Sequence, residues 1–374
     1  MAGITGREMV IAAKRAGTWG TAVECGAEDG VLLTSFGIKQ SIEVLKDDSL
    51  GIMHIKSADQ GKVDATGNIG GYLRYDGLDL FMALCMGGAG VPVQQGSTDA
   101  MAYSRTLADN IDGLFATIAL KKQTNVISEF PSVKIYSMKL AGEMNKSVTF
   151  EFGCMGNLEE LESLINTILT MANVTYPETG NRVILSRGQN FYCRMNDASG
   201  AALGAGNNLA ISGFELSFAR SMEQIYDFVT TGGAEPSEND HPSTQLVLNF
   251  PKYDAGNKQF FLDWNAGTPK KGELFFRGGL IGGTYYRQMK FSLPNMLIND
   301  ADATPGGPGR IPAKLTFDCM GCDAAPSGMT GILKPFQVDG INTLVSDPLT
   351  GTLASTIEPT TLAPTTAPPT TAAP

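Results

Sequence analysis

Three short strings in this chain recur in the same order at nearly one spacing, and any fold it adopts has to accommodate that repetition. Gly37-Ile38-Lys39-Gln40-Ser41-Ile42-Glu43 is echoed 176 residues later by Gly213-Phe214-Glu215-Leu216-Ser217-Phe218-Ala219. Tyr75-Asp76, followed by Asp79-Leu80-Phe81, returns loosely at 178 as Tyr253-Asp254 and then Phe260-Phe261-Leu262-Asp263. Phe152-Gly153-Cys154-Met155-Gly156 comes back at 165 as Phe317-Asp318-Cys319-Met320-Gly321. Together the echoes predict two β-rich halves of similar plan. The expected division is an N-terminal arm over 1–36, a first β domain over 37–174, a second over 175–330, and an extended linker and tail over 331–374.

The echoed strings are themselves strand-like. Ile38, Ile42 and Val44 share one face of an alternating run, with Lys39, Ser41 and Glu43 on the other. Phe214, Leu216 and Phe218 alternate with Glu215 and Ser217, and two further runs place Leu246, Leu248 and Phe250, then Met289, Phe291 and Leu293, on single faces. Period-2 alternation means sheet with one face on a core and one facing water or a partner. The 44 glycines and 19 prolines add many turns, so the chain reads as mainly β. Two helices interrupt the strands. Asn157 and Glu160 make a capping-box pattern ahead of Leu158, Leu161, Leu164, Ile165, Ile168 and Leu169, which predicts an amphipathic helix from Leu158 to about Ala172. A shorter helix is expected over Leu78 to Met86, ended by Gly87-Gly88. After Gly331 few strand or helix signals remain, and from Pro359 a Pro-Thr-Thr string repeats every five residues. Such a tract reads as extended, either a tether or decoration or simply a solvated tail.

Composition removes several function classes. A net charge of −10 argues against a basic surface that neutralises nucleic-acid phosphates. The longest apolar run, Leu80 to Met86, is far short of a membrane span, and the first residues carry no secretory h-region. Two sequons, at Asn145 and Asn173, read as chance without such a signal. Six scattered cysteines fit free thiols in a reducing compartment better than a disulfide framework. Cys319 and Cys322 form the one CxxC, yet no second ligand pair lies nearby and a loop follows where a redox motif would open a helix, so a pair of strand-end thiols is expected. Of the two histidines, His54 lies between Met53 and Ile55, and His241 sits in the polar run from Ser237 to Pro242. No Gly-x-Ser-x-Gly elbow supplies a nucleophile to Asp240-His241, and the run reads as a solvated loop. The glycine clusters at 200–206 and 306–309 lack the Gly-Lys-Ser/Thr ending of a phosphate loop. Nothing here assembles an active site, binds a metal or holds a cofactor.

The order of elements resembles the tail tube proteins of long-tailed, siphovirus-like bacteriophages in a larger, two-domain form. The resemblance runs over about residues 8 to 325. It is carried by Gly17-Thr18-Trp19-Gly20-Thr21, Leu33-Thr34-Ser35 with the strand from Gly37, Val63 to Leu73 leading into the Tyr75–Met86 helix, Thr117 to Leu120, Val133 to Leu140, and Ile211 to Phe218. It implies tandem β-sandwich or barrel domains flanked by helices, in a non-enzymatic subunit that stacks as rings around a channel for phage DNA. Six tube domains per ring means three chains with pseudo-six-fold symmetry, or six chains if each contributes one. The implied partners are further copies, the tape measure protein, the tail terminator and distal tail or baseplate proteins. DNA would pass without specific binding and no membrane would be involved. The place would be the virion, after assembly in the host bacterial cytoplasm. An acidic lumen would repel the moving genome rather than hold it.

The strands from Gly37 and Gly213 are then the candidate lumen strands, facing the channel with Lys39, Ser41, Glu43, Glu215 and Ser217. The other reading of that face is an ordinary outer sheet surface. Polar loops at Gly232–Ser243 and Asp300–Arg310 would reach neighbouring rings or subunits through Asp240, His241, Asp302 and Arg310, and the Leu158 helix would cover a sheet or fill a subunit seam. The Pro/Thr tail and the repeated Cys-Met-Gly string fall outside the family pattern. A β-rich phage decoration or adhesion protein with a Pro/Thr stalk is the competing expectation, and a hydrolase with an unseen site the weakest.

Overall fold

A computed structural model describes residues 6, 8–47, 54–55, 57–123, 126–186, 190–226 and 232–355. The Pro/Thr tract lies outside the described residues. The architecture is mainly β, as expected, and every pair of strands is antiparallel. In chain order the first half gives β1 (Ile11–Ala16), β2 (Ser35–Phe36), β3 (Lys39–Lys46), β4 (Ala58–Tyr72), α1 (Asp79–Met86), β5 (Val93–Gln94), β6 (Met101–Thr106), β7 (Phe115–Gln123), β8 (Val126–Glu143), β9 (Thr149–Gly156) and α2 (Ile168–Met171). The second gives β10 (Phe191–Asp197), β11 (Gly213–Glu223), β12 (Ser237–Phe250), α3 (Ala255–Ala266), β13 (Lys270–Gly282), β14 (Tyr285–Asp302), β15 (Ala313–Met320) and β16 (Gln337–Asn342).

The strand pairing is duplicated. In the first half β3 pairs β4, β4 pairs β9, β9 pairs β8, β8 pairs β7 and β7 pairs β1. In the second, β11, β12, β15, β14, β13 and β10 follow one another in the same way. The helices occupy matching places, α1 against β8 and α3 against β14. One strand pair joins the two sets. β11 lies along the Ser137–Glu143 end of β8, on the edge that β7 vacates after Val133. The result is a continuous run β3-β4-β9-β8-β11-β12-β15-β14.

One face of that run is core. Phe152, Met138 and Phe218 are buried there, as are Leu140, Leu216, Leu246, Phe317 and Ile298 across successive strands. The alternating runs at 214–218, 246–250 and 289–293 all bury their apolar side. β3 does not: Ile38 just before it is buried, but Ile42, Val44 and Leu45 are 39–55% exposed, because β4 covers only one edge of the strand and no other described strand pairs with it. α1 forms where its sequence predicts. Gly87 closes it at φ 78°, in the left-handed region, and donates its N–H to Ala83 O at 2.8 Å. Asp79 opens it, with its carboxylate accepting from the buried Arg105 guanidinium and from Asn342 Nδ2 at 2.9 Å.

Four expectations need correction. The helix from Leu158 is absent apart from α2. Residues 158–167 instead satisfy the free N-terminal edge of β8: Glu160 and Glu129 exchange backbone hydrogen bonds at 2.8 and 2.9 Å, and Ser163 N–H donates to Ile127 O. Asn166, which a helix would place among its apolar neighbours, is buried, donating to Glu129 and Val23 O and accepting from Cys25 N–H. The intended apolar stripe faces outward, with Leu164 91% and Leu169 81% exposed. Second, 331–355 is no extended linker. β16 inserts between β14 and β6, with Val338 and Asn342 fully buried. Third, residues 237–243 are strand rather than loop, because β12 continues past two register shifts to pair Asp240 with Ser221 and Ser237 with Glu223. Fourth, the N-terminal arm contains β1, whose Ala12, Ala13 and Ala16 pack out of solvent against β7. α3 carries no strong sequence signal. Its N-terminus is fixed by Asp254, which accepts from Gly256 N–H at 2.9 Å while Asn257 reaches back to the Asp254 N–H.

Buried cations pin the halves together. Arg220 of β11 pairs with Glu238 at 2.7 Å and donates to Met86 O and Ala108 O, so it satisfies a carbonyl at the C-terminal end of α1. Lys134, fully buried, donates to Glu235 and Pro236 O. Arg287 of β14 meets Asp76 at 2.7 Å. Five cysteines are buried and free, and Cys322 is half-buried. Burial pushes the thiols of Cys25, Cys85 and Cys193 up to about 12, Cys25 with help from Asp29, and raises Cys154 and Cys319 as well. No helix among the described residues is long and apolar enough to cross a membrane.

Four outcomes follow from this packing. Gly340→Val would set a methyl-bearing carbon against Tyr103 Oη and Gln288 O, where even a Cβ would lie 2.3 and 2.5 Å away, so β16 cannot seat. A loss of about 3 kcal/mol or more in thermal unfolding is expected. Arg220→Ala strands Glu238 and the helix-end carbonyls and should cost about 3–5 kcal/mol in urea denaturation. Glu215→Ala, removing only its half-exposed pair with Lys139, should cost less than about 1 kcal/mol. In native protein a thiol-specific reagent should modify Cys322 alone, the other five reacting only after denaturant.

Candidate assembly surface

Opposite the core, the same eight strands present a polar face. Register follows it strand by strand: Lys39 and Ser41 on β3 lie opposite Thr66 and Asp64 on β4. Asn68 of β4 donates to Glu151 of β9 at 2.5 Å, and Glu151 lies opposite Lys139 of β8. Lys139 reaches Glu215 of β11 at 2.9 Å and lies opposite Ser217. Gln245 of β12 faces Ser217 and donates to Asp318 of β15, which also accepts from Asn299 of β14 at 2.8 Å. The face ends at Asp300 and Asp302 of β14, opposite Thr316 and Lys314. These side chains project there because the strands alternate, and the pleat that buries Leu216 and Leu246 turns Ser217 and Gln245 outward.

Four of the five candidate lumen residues, Lys39, Ser41, Glu215 and Ser217, therefore share one sheet face, while Glu43 falls at a register shift in β3. Glu151, Lys139, Asp64, Asn68, Gln245, Asp318 and Asp300 belong to the same surface and were not singled out from sequence. The alternation of Val133 to Leu140 carried the signal for Lys139. The face is acidic on balance: Asp64, Glu151, Glu215, Asp300, Asp302 and Asp318 outnumber Lys39, Lys62, Lys139 and Lys314, with Lys62 paired to Asp64 at 3.3 Å. Asp302 is held below the usual carboxylate range by the Thr304 hydroxyl and backbone N–H.

The second group of candidates is dispersed. Asp240 and His241 sit at the far end of β12, exposed, with the His241 N–H donating to Asp240 at 2.7 Å. Asp302 ends β14, and Arg310 stands exposed in the loop that follows. No nucleophile or second titratable group accompanies His241 in any hydrogen bond or ion pair among the described residues. Groups of three or more His, Cys, Asp or Glu able to hold a metal are likewise absent among them. What the surface offers is a broad, charged, hydrogen-bonded sheet face bounded by two strand edges.

Those two edges are unequal to the rest of the sheet. β3 pairs β4 along one side and has no strand on the other among the described residues. β14 pairs β15 over Asn295–Asp302, but β13 leaves its opposite side at Met296. Backbone N–H and C=O groups on such edges are open to another chain.

A family model described as phage tail tube protein matches residues 6–321. No curated protein sequence matches the chain. Among solved structures, a chain from the cryo-EM structure of the anti-feeding prophage baseplate, 6-fold symmetrised, is similar over 38% of this chain and 91% of its own, at 13% identity and a TM-score of 0.26. The family match takes in all the strands of the polar face and both of its open edges, and the chain belongs to the phage tail tube proteins.

Proposed function

We propose that the chain is the tail tube subunit of a long-tailed, siphovirus-like phage, with two tandem tube domains per chain, and that its copies close into rings that stack around a channel for DNA. The observation that carries this is the eight-stranded face: two copies of one four-strand pattern, joined edge to edge through β8 and β11, polar on one side and ending in strands that each leave an edge open among the described residues. Three chains then supply the six domains of a ring. The acidic face lines the lumen, where carboxylates repel phosphate and leave DNA free to slide. Lys39, Ser41, Glu43, Glu215 and Ser217 face that channel. Asp240, His241, Asp302 and Arg310 meet neighbouring subunits or rings, and the exposed Leu161, Leu164 and Leu169 add apolar area for such contacts. The role is structural and needs no cofactor. Tape measure, terminator and distal tail or baseplate proteins are the partners, in a virion assembled in the bacterial cytoplasm.

Negative-stain electron microscopy of purified protein at rising concentration, beside light-scattering mass, tests the reading. Hollow tubes, or rings with the mass of three chains, are the expected result. A monomer that persists at every concentration, even with the tail-initiating proteins of the same genome, would refute it.

A further inference from the structure

We infer that copies of this chain join head to tail by adding β3 of one copy to the open edge of β14, beyond Met296, of the next. The inference rests on the self-assembling tube reading and names the seam that this assembly uses. It comes from the duplicated strand pattern, because the chain already contains one example of the contact. In the first half, β8 loses β7 after Val133, and β11 fills the vacated edge from Ser137 to Glu143. In the second half, β14 loses β13 after Met296, and no described strand fills the edge from Leu297 to Asp302. β3 is the counterpart of β11, and no described strand pairs its outer edge.

The repeat also sets the register. Ser217 lies opposite Lys139, and Glu215 opposite Ala141. Lys139 and Ala141 pair with Glu151 and Thr149, while Asp300 and Asp302 pair with Thr316 and Lys314, each 165 residues further along. Asp300 and Asp302 therefore take the places of Lys139 and Ala141. With Ser41 and Lys39 in the places of Ser217 and Glu215, Ser41 comes opposite Asp300 and Lys39 opposite Asp302. The charges then match with the signs exchanged. Within the chain the carboxylate is on β11 (Glu215) and the ammonium on β8 (Lys139), 2.9 Å apart. Between chains the ammonium is on β3 (Lys39) and the carboxylate on β14 (Asp300). Neither Lys39 nor Asp300 has an ion-pair partner among the described residues.

A second observation agrees. α1 is almost wholly buried and has Arg220 of the β11 strand at its C-terminal end. α3, in the matching place, buries only Asn257, Phe260 and Asp263, and leaves Leu262 51% and Trp264 40% exposed. The hairpin counterpart that would cover it belongs to β3, whose Val44 and Leu45 are 55% and 52% exposed. A second copy brings these apolar surfaces together.

The test is a cysteine pair across the seam, Ser41→Cys with Asp300→Cys, in a Cys322→Ser background. Directly opposed antiparallel residues sit about 4.5–5.5 Å apart at Cα, within disulfide range. Mild oxidation of assembled protein should give covalent trimers or a ladder of multimers on non-reducing gels, and neither single-cysteine variant should do so beyond dimers. Separately, Lys39→Glu should raise the critical concentration for assembly about fivefold or more, and adding Asp300→Lys should recover a large part of that loss. Assembly into tubes without cross-linking and without a Lys39 effect overturns the seam while leaving the tube reading intact. Cross-linked trimers that never stack uphold the seam and count against a stacked tube. A chain that neither assembles nor cross-links overturns both.

Discussion

Strand β8 has to satisfy its backbone hydrogen bonds along two edges over 18 residues, and the rest of the molecule is arranged around how it does so. On one edge β9 serves the C-terminal part, and the irregular segment at Glu160 serves the N-terminal part. On the other, β7 hands over to β11. A buried peptide group left without a partner costs about as much as a lost hydrogen bond, so the changeover at Val133 forces a strand from elsewhere into place. That strand comes from the second half. The joint between halves is thus an obligation of the sheet itself rather than a later docking of finished domains.

Buried charge then fixes how the halves sit. Hydrophobic contact between two sheets of similar composition tolerates sliding, because it has no direction. Arg220, Lys134 and Arg287 remove that freedom, since each is largely withdrawn from water and each finds its acceptors only in one arrangement. Ion pairs of this kind contribute little net stability against an apolar equivalent, but a displaced one leaves an uncompensated charge. Their effect here is to select one register out of several that the apolar faces would permit.

The sequence revealed those parts of the fold whose side chains obey a local period. Phe214-Leu216-Phe218 and Leu246-Leu248-Phe250 bury every second residue because their strands have neighbours on both edges, and α1 ends where Gly87 permits the left-handed turn. The three echoed strings fall on β3 and β11, on α1 and α3, and on β9 and β15, which hold matching places in the two sets of paired strands. Legibility failed where distant partners decided the outcome. The 158–172 stripe has helical spacing, but the open edge of β8 and the buried carboxylate of Glu129 claim its backbone and Asn166. Residues 237–243 read as a loop from composition, yet they pair with the end of β11. β16 is short and bounded by prolines and glycines, and only its place between two unrelated strands makes it a strand at all. Of the polar face, Lys39, Ser41, Glu215 and Ser217 could be read from alternation. Glu151, Asp318 and Asp300 needed the register of their neighbours.

β16 also sets the order in which the molecule can be completed. Its pairing with β6 joins Ser104 to Asp339, 235 residues apart, across nearly two thirds of the chain. Contacts of that separation are the slowest to form, since a long loop must close before any hydrogen bond is gained. While the chain is being synthesised, β6 waits with one edge bare until residue 342 has left the ribosome. Nascent chains held close together on one messenger therefore share a risk that finished molecules do not, namely exchange of this last strand between neighbours. Its C-terminal end is anchored once it arrives, through Asn342 on Asp79 and Thr343 on Asp76, and that anchoring works against exchange.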